Sequence, residues 1–402
     1  MIPITKPLLG EAEAEAARAA ILSGWVTQGP AVAAFEAEFA GAVGARHACA
    51  VSSCTAALHL ALLAVGVGPG DEVVTVSHSY IATANAVRYC GATPVFVDID
   101  PLTYNLDPQV LRAAITERTR AILCVHQMGM PCDLGRILAV AREHGLPVVE
   151  DAACAIGSEI RLGGGWERIG KPHGDIACFS FHPRKILTTG DGGMITTANA
   201  QWDAHVRLWR QHAMSVTDTV RHAAREVTFE TYPCLGFNYR MTDIQAAVGR
   251  QQLARLGDLL AERRALADRY RILLAEVPGI APPFEPDWAR TNWQSYCVRL
   301  PEGADQRTAM QAMLDAGVAT RRGIMCAHRE PAYARDAASV ALPHSERAQD
   351  ECILLPLYPQ MTEDEQTRVV EALTMAIGVN RPPLARLAHL PALHERVSQS
   401  SK

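Results

Sequence analysis

Between residue 47 and about residue 200, short apolar runs alternate with segments of helical periodicity. Many of these runs are rich in β-branched residues and do not alternate apolar with polar positions, which is typical of strands covered on both faces. Helical patterns lie between most of them, for example at 108–115 and 134–144. This order predicts a mainly parallel sheet, and ligands of such sheets gather at the carboxyl ends of the strands. The predicted strands are 72–77, 94–99, 121–126, 147–151, 176–181 and 194–197.

Helical patterns also flank this region. Residues 11–22 have strong helix propensity, and a second predicted helix passes through Phe35 and Phe39. A long helix is predicted from Thr242, where Thr242 and Gln245 have the spacing of a capping box, and Pro278-Gly279 ends it. After it we expect a strand at 294–300 and helices near 307–316 and 363–377.

The length of 402 residues indicates a large domain and a smaller one. We expect an α/β fold in which residues 1–250, the N-terminal segment included, form the large domain. Residues 251–378 would form a smaller α+β domain, and residues 379–402 a tail with a frayed end.

Composition does not point to a function, but it argues against several classes of partner and site. Hydrophobic residues make up 49% and charged residues 20%, with a net charge of -5 and a pI near 6.3, so nothing favours a nucleic-acid partner. The eleven cysteines include no C-x-x-C pair, and several lie in apolar runs; we interpret them as buried thiols in a reducing compartment and expect no metal site. The start of the chain lacks a signal-peptide pattern and no apolar run is long enough to span a membrane, so we expect a cytoplasmic protein.

Lys185 stands in the most informative stretch, Ser180-Phe-His-Pro-Arg-Lys185 followed by Thr-Gly190-Asp-Gly-Gly193. Taken alone it could be a solvated loop lysine. It lies just past the end of a predicted strand, however, among apolar and small residues. Burial there would lower the proton affinity of the amine and make it nucleophilic, as Schiff-base chemistry requires.

Two further features belong to the same edge of the predicted sheet. Asp151 ends the strand 147–151, where a carboxylate could bind a metal, cap a helix or pair with a cationic ring. The run Ser53-Cys54-Thr55 opens an Ala/Leu-rich helix, whose free N–H groups and dipole favour a phosphate, although it could equally be a simple cap.

In this order, these features resemble the DegT/DnrJ/EryC1/StrS family, the sugar aminotransferase branch of the fold-type I enzymes that use pyridoxal 5'-phosphate (PLP). The resemblance runs from about Ile4 to about Ile377. It rests on the two runs quoted above and on three further pieces, which are Gly29-Pro30, Glu150-Asp151-Ala-Ala153 and Gly236-Phe-Asn-Tyr-Arg-Met-Thr-Asp243. It implies an aspartate-aminotransferase-like fold, a cytoplasmic homodimer with shared active sites, and PLP alternating with pyridoxamine 5'-phosphate.

The resemblance also implies roles for individual residues. Lys185 would carry the cofactor as a Schiff base and act as acid and base, while Asp151 would pair with the protonated ring nitrogen. The remaining implied contacts are Cys54, Thr55 and Ser180 to the phosphate, Tyr80 stacking on the ring, Asn238 reaching the phosphate of the neighbouring subunit, and Arg240, Arg321 and His328 toward the substrates. Tyr80 could instead be a core tyrosine, and the three substrate residues could be solvated or interface residues.

Two positions depart from the family pattern. Many members have Gly at the position of Cys54. Many have Gln or His at the position of Cys154, and in those members this side chain touches the phenolic oxygen of the cofactor. A thiol is a weaker hydrogen-bonding group, so the role of Cys154 stays open.

The expected reaction moves an amino group from an amino acid, with glutamate as the expected donor, to the keto group of a nucleotide-activated sugar. A cyclitol or other non-nucleotide ketone is the alternative acceptor. A PLP-dependent sugar dehydratase and a non-catalytic regulator are weaker alternatives, because the chain keeps Lys185.

Overall fold

The computed structural model describes residues 1–227, 229–334 and 340–378, so the predicted tail lies outside the described residues. The helices are α1 (Glu11–Leu22), α2 (Pro30–Val43), α3 (Cys54–Ala64), α4 (Ala82–Tyr89), α5 (Pro108–Ala114), α6 (Leu134–His144), α7 (Ala200–Trp209), α8 (Asp218–Ala223), α9 (Asp243–Ala254), α10 (Leu256–Ala275), α11 (Gln306–Asp315), α12 (Pro343–Glu351) and α13 (Glu363–Ala376). The strands are β1 (His47–Val51), β2 (Glu72–Val76), β3 (Thr93–Val97), β4 (Thr119–Val125), β5 (Val148–Asp151), β6 (Glu159–Leu162), β7 (Gly165–Arg168), β8 (Ile176–Ser180), β9 (Gly193–Thr197), β10 (Ala289–Arg290), β11 (Tyr296–Arg299), β12 (Arg321–Arg322) and β13 (Cys352–Leu355).

The largest sheet has seven strands in the order β1-β9-β8-β5-β4-β2-β3. The pairs from β3 to β8 are all parallel, whereas β9 runs antiparallel to both β8 and β1. The α/β fold with a mainly parallel sheet is therefore confirmed, and each of the six predicted strands is present within one or two residues of its predicted ends.

Both faces of this sheet are covered, as its near-continuous apolar strands require. On one face, Phe35 and Phe39 of α2 pack against Phe179 and Phe181 at the end of β8, with ring centroids 5.1 to 5.7 Å apart. On the other face, α3 buries its apolar residues against β8 and β9. This packing fixes the ends of β8 and β9 relative to α2 and α3.

The free edge of β1 is capped by a buried ion-pair cluster. Glu36 of α2 accepts the N–H of Ala50 at 2.9 Å and pairs with Arg210 at 2.5 Å and Arg207 at 2.6 Å. Arg210 also donates to the Ala50 carbonyl at 2.6 Å, and Arg207 donates to the carbonyl of Ala48. These side chains satisfy backbone groups that an edge strand would otherwise leave without partners.

A second core lies around the three-stranded sheet β11-β13-β12. Tyr270 of α10 and Tyr296 of β11 are its largest buried side chains, and α11 and α13 cover the sheet. Ile2 packs into this second core, and its N–H donates to the carbonyl of Gly317 at 2.8 Å. A further three-stranded sheet, β10-β6-β7, combines β10 with the pair β6 and β7, which lies between β5 and β8 in the chain.

The prediction of one long helix from Thr242 is wrong in its continuity. The capping box of Thr242 and Gln245 is present, but α9 and α10 are separate helices that meet at Arg255, whose φ of -106° and ψ of 15° are not helical. The Arg255 guanidinium pairs with Glu13 of α1 at 2.6 Å and donates to the carbonyl of Leu8 at 2.6 Å. This long-range contact has no local sequence signal.

Within the described ranges, no helix combines the length and the apolarity that crossing a bilayer requires.

Candidate active site

Four strand ends meet at one edge of the large sheet. Asp151, the last residue of β5, is paired in register with Cys178 of β8. Two residues further along β8, Ser180 is paired with Gly193 of β9, and Gly193 is paired with Val51 of β1. The sheet order therefore places Asp151, Ser180 and the start of α3 side by side, although they are far apart in the sequence.

Lys185 follows β8 in a tight turn, in which its N–H donates to the carbonyl of His182 at 2.8 Å. Its side chain points back toward the strand ends, and Nζ lies 3.0 Å from the sulfur of Cys154. The residue is partly exposed, so a ligand can reach the amine. Cys154 follows β5 closely, which brings Lys185 to the same edge as Asp151.

The expectation that burial leaves Lys185 with a lowered proton affinity is wrong for this arrangement. Burial does lower the pKa of the amine, but the contact with Cys154, followed by the electrostatic influence of Cys54 and Asp151, outweighs it, and the pKa of Lys185 is raised. The amine therefore holds its proton more strongly than an ordinary lysine.

Asp151 is almost fully buried, and its carboxylate accepts two hydrogen bonds. The Thr83 hydroxyl donates to one oxygen at 2.7 Å, and the N–H of Ala153 donates to the other at 3.1 Å. Thr83 in turn lies 2.7 Å from the hydroxyl of Ser79. Burial raises the pKa of Asp151 above its ordinary value, although both hydrogen bonds and Lys185 act to lower it. A carboxylate accepts about four hydrogen bonds, so Asp151 keeps the capacity for a further donor.

The start of α3 has the geometry of an anion-binding site. Ser53 is the N-cap, and its hydroxyl accepts the N–H of Ala56 at 3.2 Å, which leaves the first N–H groups of the helix without intrahelical partners. A side chain at Gly193 would place a Cβ 2.5 Å from the Ser53 carbonyl carbon and 2.8 Å from the Cys54 nitrogen. Glycine at this position lets β9 pass directly beside the helix start. The thiol of Cys54 points to the carbonyl of Cys178, 3.7 Å away.

Tyr80 lies in the loop between β2 and α4, next to the helix that carries Thr83. It is 66% exposed, so it is not a core tyrosine. The carbonyl of Tyr80 accepts the N–H of Thr83 at 3.1 Å, and this bond links the position of the aromatic ring to the residue that contacts Asp151.

The segment that contains Asn238 and Arg240 runs along β1. Ser52 donates its N–H to the carbonyl of Tyr239 at 2.8 Å, and Val51 forms a bridge with Arg240. Asn238 is exposed, and its carboxamide oxygen accepts from Arg240 Nε at 3.3 Å. The backbone of this segment therefore lies beside the end of β1, directly before the start of α3.

The predicted substrate residues Arg321 and His328 lie in two different environments. Arg321 is an exposed residue of the short strand β12. The side chain of His328 is 6% exposed, with Nδ1 2.6 Å from the Ser77 hydroxyl and Nε2 3.2 Å from Glu346 of α12. Since both ring nitrogens are engaged, His328 links the loop that carries Tyr80 to α12. A role of Arg321 or His328 toward substrate stays a prediction.

Four features of the site were not predicted from the sequence: the contact between Cys154 and Lys185, and the contributions of Thr83, Asn292 and Gln294. Thr83 has a recoverable signal, because it follows Tyr80 by one helical turn. Asn292 and Gln294 come from the segment before β11 and approach Lys185 through backbone contacts that no sequence pattern marks. All eleven cysteines are free thiols, and the described residues contain no cluster of potential metal ligands.

Nearly the whole chain is similar to known proteins of one family. Residues 7–374 match the model of the DegT/DnrJ/EryC1/StrS aminotransferase family. The spore coat polysaccharide biosynthesis protein SpsC of Bacillus subtilis (strain 168) is 39% identical over 377 residues, which cover 92% of this chain and 96% of that protein.

Solved structures agree with the fold. The aminotransferase TlmJ from Streptoalloteichus hindustanus is 33% identical and superposes with a TM-score of 0.86 over 94% of this chain and 99% of that one. Spr1654 from Streptococcus pneumoniae is 27% identical, and its PMP form gives a TM-score of 0.87 over 94% of this chain and 99% of that one. Spr1654 has also been solved in a PLP form, with a TM-score of 0.85.

Proposed function

Because the chain belongs to the DegT/DnrJ/EryC1/StrS aminotransferase family, whose members depend on PLP, we propose that it transfers an amino group from glutamate to the keto group of a nucleotide-activated sugar. The observation that carries the proposal is the meeting of Lys185, Asp151 and the open start of α3 at one edge of one sheet. The name of SpsC, a polysaccharide biosynthesis protein, supports a sugar as the acceptor.

The residues at this edge fit PLP in both charge and shape. At the start of α3, the N–H groups of Cys54 and Thr55 have no intrahelical partners and can donate to a phosphate. Gly193 of β9 passes close beside them, and Ser180, whose hydroxyl is a further donor, is paired with Gly193. Asp151 is a buried carboxylate with spare acceptor capacity, and the two hydrogen bonds that it accepts come from neutral donors, the Thr83 hydroxyl and the Ala153 N–H. A protonated ring nitrogen would add a cationic donor in direct contact.

Within this site each side chain has a distinct task. PLP, when bound, supplies an electron sink for the carbon from which a proton is removed. Lys185 holds and returns that proton at Nζ, with the sulfur of Cys154 as its hydrogen-bond partner at 3.0 Å. Asp151 keeps the ring nitrogen protonated, and Thr83 orients Asp151. Tyr80, which is exposed in the loop before α4, would stack on the ring and restrict the access of water.

We further propose that two copies of the chain form a homodimer in which Asn238 reaches the phosphate of the neighbouring site. The segment before Asn238 exposes Val227, Phe229 and Leu235 to 86%, 87% and 92%, and three large apolar side chains so exposed within nine residues suit a surface that another chain covers. Arg240 and Arg321 would then meet carboxylate or phosphate groups of the substrates, as guanidinium groups commonly do.

Replacement of Lys185 tests the assignment directly. In Lys185→Ala, we expect loss of covalent cofactor attachment, seen in the visible absorbance, and a fall in turnover of about a thousandfold or more, since acid–base catalysis is lost with the attachment. Lys171→Ala is the matched control, because Lys171 is an exposed lysine whose ion pair is with the partly exposed Glu167. Full turnover of Lys185→Ala would overturn the proposal.

The acceptor needs a separate experiment. The enzyme in its pyridoxamine form is mixed with a panel of keto-sugar nucleotides and cyclitol ketones, and the return of the PLP spectrum is followed. Return with the nucleotide-linked sugars supports the proposal. Return with a cyclitol or another ketone alone would establish the alternative acceptor.

A further inference from the structure

The segment 292–294, which joins β10 to β11, lies against the backbone on either side of Lys185. It contributes no group to the reaction described above. The polar side chains of Asn292 and Gln294 are nevertheless buried at this point and hydrogen bonded to backbone atoms next to Cys154 and Lys185.

Gln294 contacts both peptide groups that flank Lys185. Its carboxamide oxygen accepts the N–H of Ile186 at 3.1 Å, and its nitrogen donates to the carbonyl of Arg184 at 2.6 Å. One planar group therefore holds the chain immediately before and immediately after Lys185. Gln294 is only 9% exposed, so water competes poorly for these two bonds.

Asn292 makes the corresponding contacts around Cys154. Its carboxamide nitrogen donates to the carbonyls of Cys154 and Ile156, both at 2.8 Å. Its oxygen accepts the N–H of Gln294 at 2.9 Å. The two members of the Lys185–Cys154 pair come from different parts of the chain, and the segment 292–294 fixes both of them.

The segment is itself held in an unusual conformation. Trp293 has a φ of 52°, in the left-handed region that costs free energy for a residue with a Cβ. The buried Arg263 of α10 donates to the carbonyl of Trp293 at 2.8 Å, and Ser158 accepts the N–H of Asn292 at 3.1 Å. At Gly129, an added Cβ would lie 2.0 Å from the Asn292 carboxamide oxygen. Surroundings that maintain a strained turn in this way deliver side chains to fixed positions.

We propose that Gln294, oriented by Asn292, is a positioning residue that holds Lys185 with its Nζ beside Cys154 and so sets the rate at which this amine reacts. The proposal rests on the proposed function in one respect, the assignment of Lys185 as the cofactor-bearing lysine. Gln294 acts only through the backbone, so its loss changes the placement of Lys185 and leaves the chemical groups of the site intact.

The variant Gln294→Met tests this placement, since methionine has a similar length but neither hydrogen-bonding atom. Gln306→Met is the matched control, because Gln306 also bonds two backbone carbonyls, those of Gln349 and Cys352, but far from Lys185. Amide hydrogen exchange of the full-length protein, loaded with PLP, is followed in the peptide that contains Ile186. We expect exchange at Ile186 to be roughly tenfold faster in Gln294→Met, the size expected for one lost buried hydrogen bond, and unchanged in Gln306→Met.

Kinetics supply the second measurement. If Gln294 positions Lys185, Gln294→Met lowers the rate of covalent cofactor attachment and kcat several-fold, while KM for the amino donor stays near its original value. Equal effects of both variants on exchange and kinetics, or no change at Ile186, would overturn the proposal. The exchange result does not depend on what Lys185 carries. A protein without covalently bound PLP would therefore contradict the proposed function and leave the exchange test of Gln294 standing.

Discussion

The sulfur of Cys154 lies 3.0 Å from the Nζ atom of Lys185. Cys154 thereby contributes to the raised pKa of Lys185, against the effect of burial. The family pattern has Gln or His at this position in many members, so the proton of the lysine has a different partner here. In the proposed function, this contact would influence the pH at which the amine is neutral and can attack a carbonyl.

Cys154→Ala should lower the pKa of Lys185, because the contact that offsets burial is removed. At a pH below this pKa a larger fraction of the amine is then neutral, and cofactor uptake by the cofactor-free enzyme should be faster, by about twofold to tenfold. The measurement is the pH dependence of the rate at which the visible absorbance appears. Cys90→Ala, which changes a buried thiol that contacts the carbonyl of His59, serves as the control. An unchanged pH profile for Cys154→Ala would contradict the prediction.

Thr83→Val should weaken the function of Asp151. The hydroxyl of Thr83 lowers the pKa of a carboxyl group that burial raises, so its removal raises the pKa of Asp151 further. In the variant, Asp151 is therefore protonated at a higher pH than in the wild type. Once protonated, it no longer pairs with the protonated ring nitrogen of the cofactor. We expect a loss of kcat of about tenfold near neutral pH, larger at lower pH and smaller at higher pH.

The control for this prediction is Thr75→Val. Thr75 is a buried threonine of β2 whose hydroxyl donates to the carbonyl of Leu123 at 2.8 Å. A loss of activity in Thr83→Val that does not vary with pH would show that Thr83 supports the fold and does not act on Asp151.

Glu36→Gln should destabilise the protein by about 3 kcal/mol, because it leaves Arg210 buried without its carboxylate partner. Burial raises the pKa of Glu36, but Arg210 and Arg207 more than offset this, and the pKa is lowered. The stabilisation is therefore complete above the ordinary glutamate pKa of 4.5 and is lost as the pH falls through the lower value of the folded protein.

The measurement is the midpoint of urea unfolding as a function of pH. The difference between the wild type and Glu36→Gln should be constant above pH 4.5 and shrink below it. Glu38→Gln, on the same helix but 42% exposed in its pair with Arg250, should cost less than about 1 kcal/mol. A Glu36→Gln variant as stable as Glu38→Gln would refute the assigned role of the cluster.

Mixed dimers test whether Asn238 serves the neighbouring site. Lys185→Ala and Asn238→Ala would each lower activity strongly as separate dimers. If Asn238 acts across the interface, a mixture that exchanges subunits contains hybrid dimers with one site in which both residues are intact, and activity should return to about a quarter of the wild-type level, as follows from random pairing of subunits. No recovery, with exchange shown by a tagged subunit, would place Asn238 in the site of its own chain.

The large sheet and the residues at its edge were predictable because each depends on a short stretch of sequence. The strand that ends at Asp151, the turn after Ser180 and the Ser53-Cys54-Thr55 helix start each have a local signature, and the carboxyl-end rule for parallel sheets then brings them together. The N-cap role of Ser53 and the capping box of Thr242 with Gln245 follow from the same kind of local pattern.

The features that could not be predicted depend on contacts between distant residues. The break at Arg255 follows from its bond to Glu13, and the raised pKa of Lys185 follows from the placement of Cys154. Gln294 reaches Lys185 from the segment between β10 and β11, and it bonds backbone atoms, which any sequence provides equally. Such contacts leave no periodicity or spacing in the chain.

Strand β9, the antiparallel member of the large sheet, has a consequence for biosynthesis. In that sheet the edge strand β1 is paired with β9 alone. During synthesis, β1 therefore cannot form its strand pairing before Gly193–Thr197 has left the ribosome. Until then the parallel strands β2 to β5 can pair in the order of their synthesis, whereas β1 and the start of α3, which follows it, have no fixed position. The proposed phosphate-binding site is thus encoded early in the chain and assembled late.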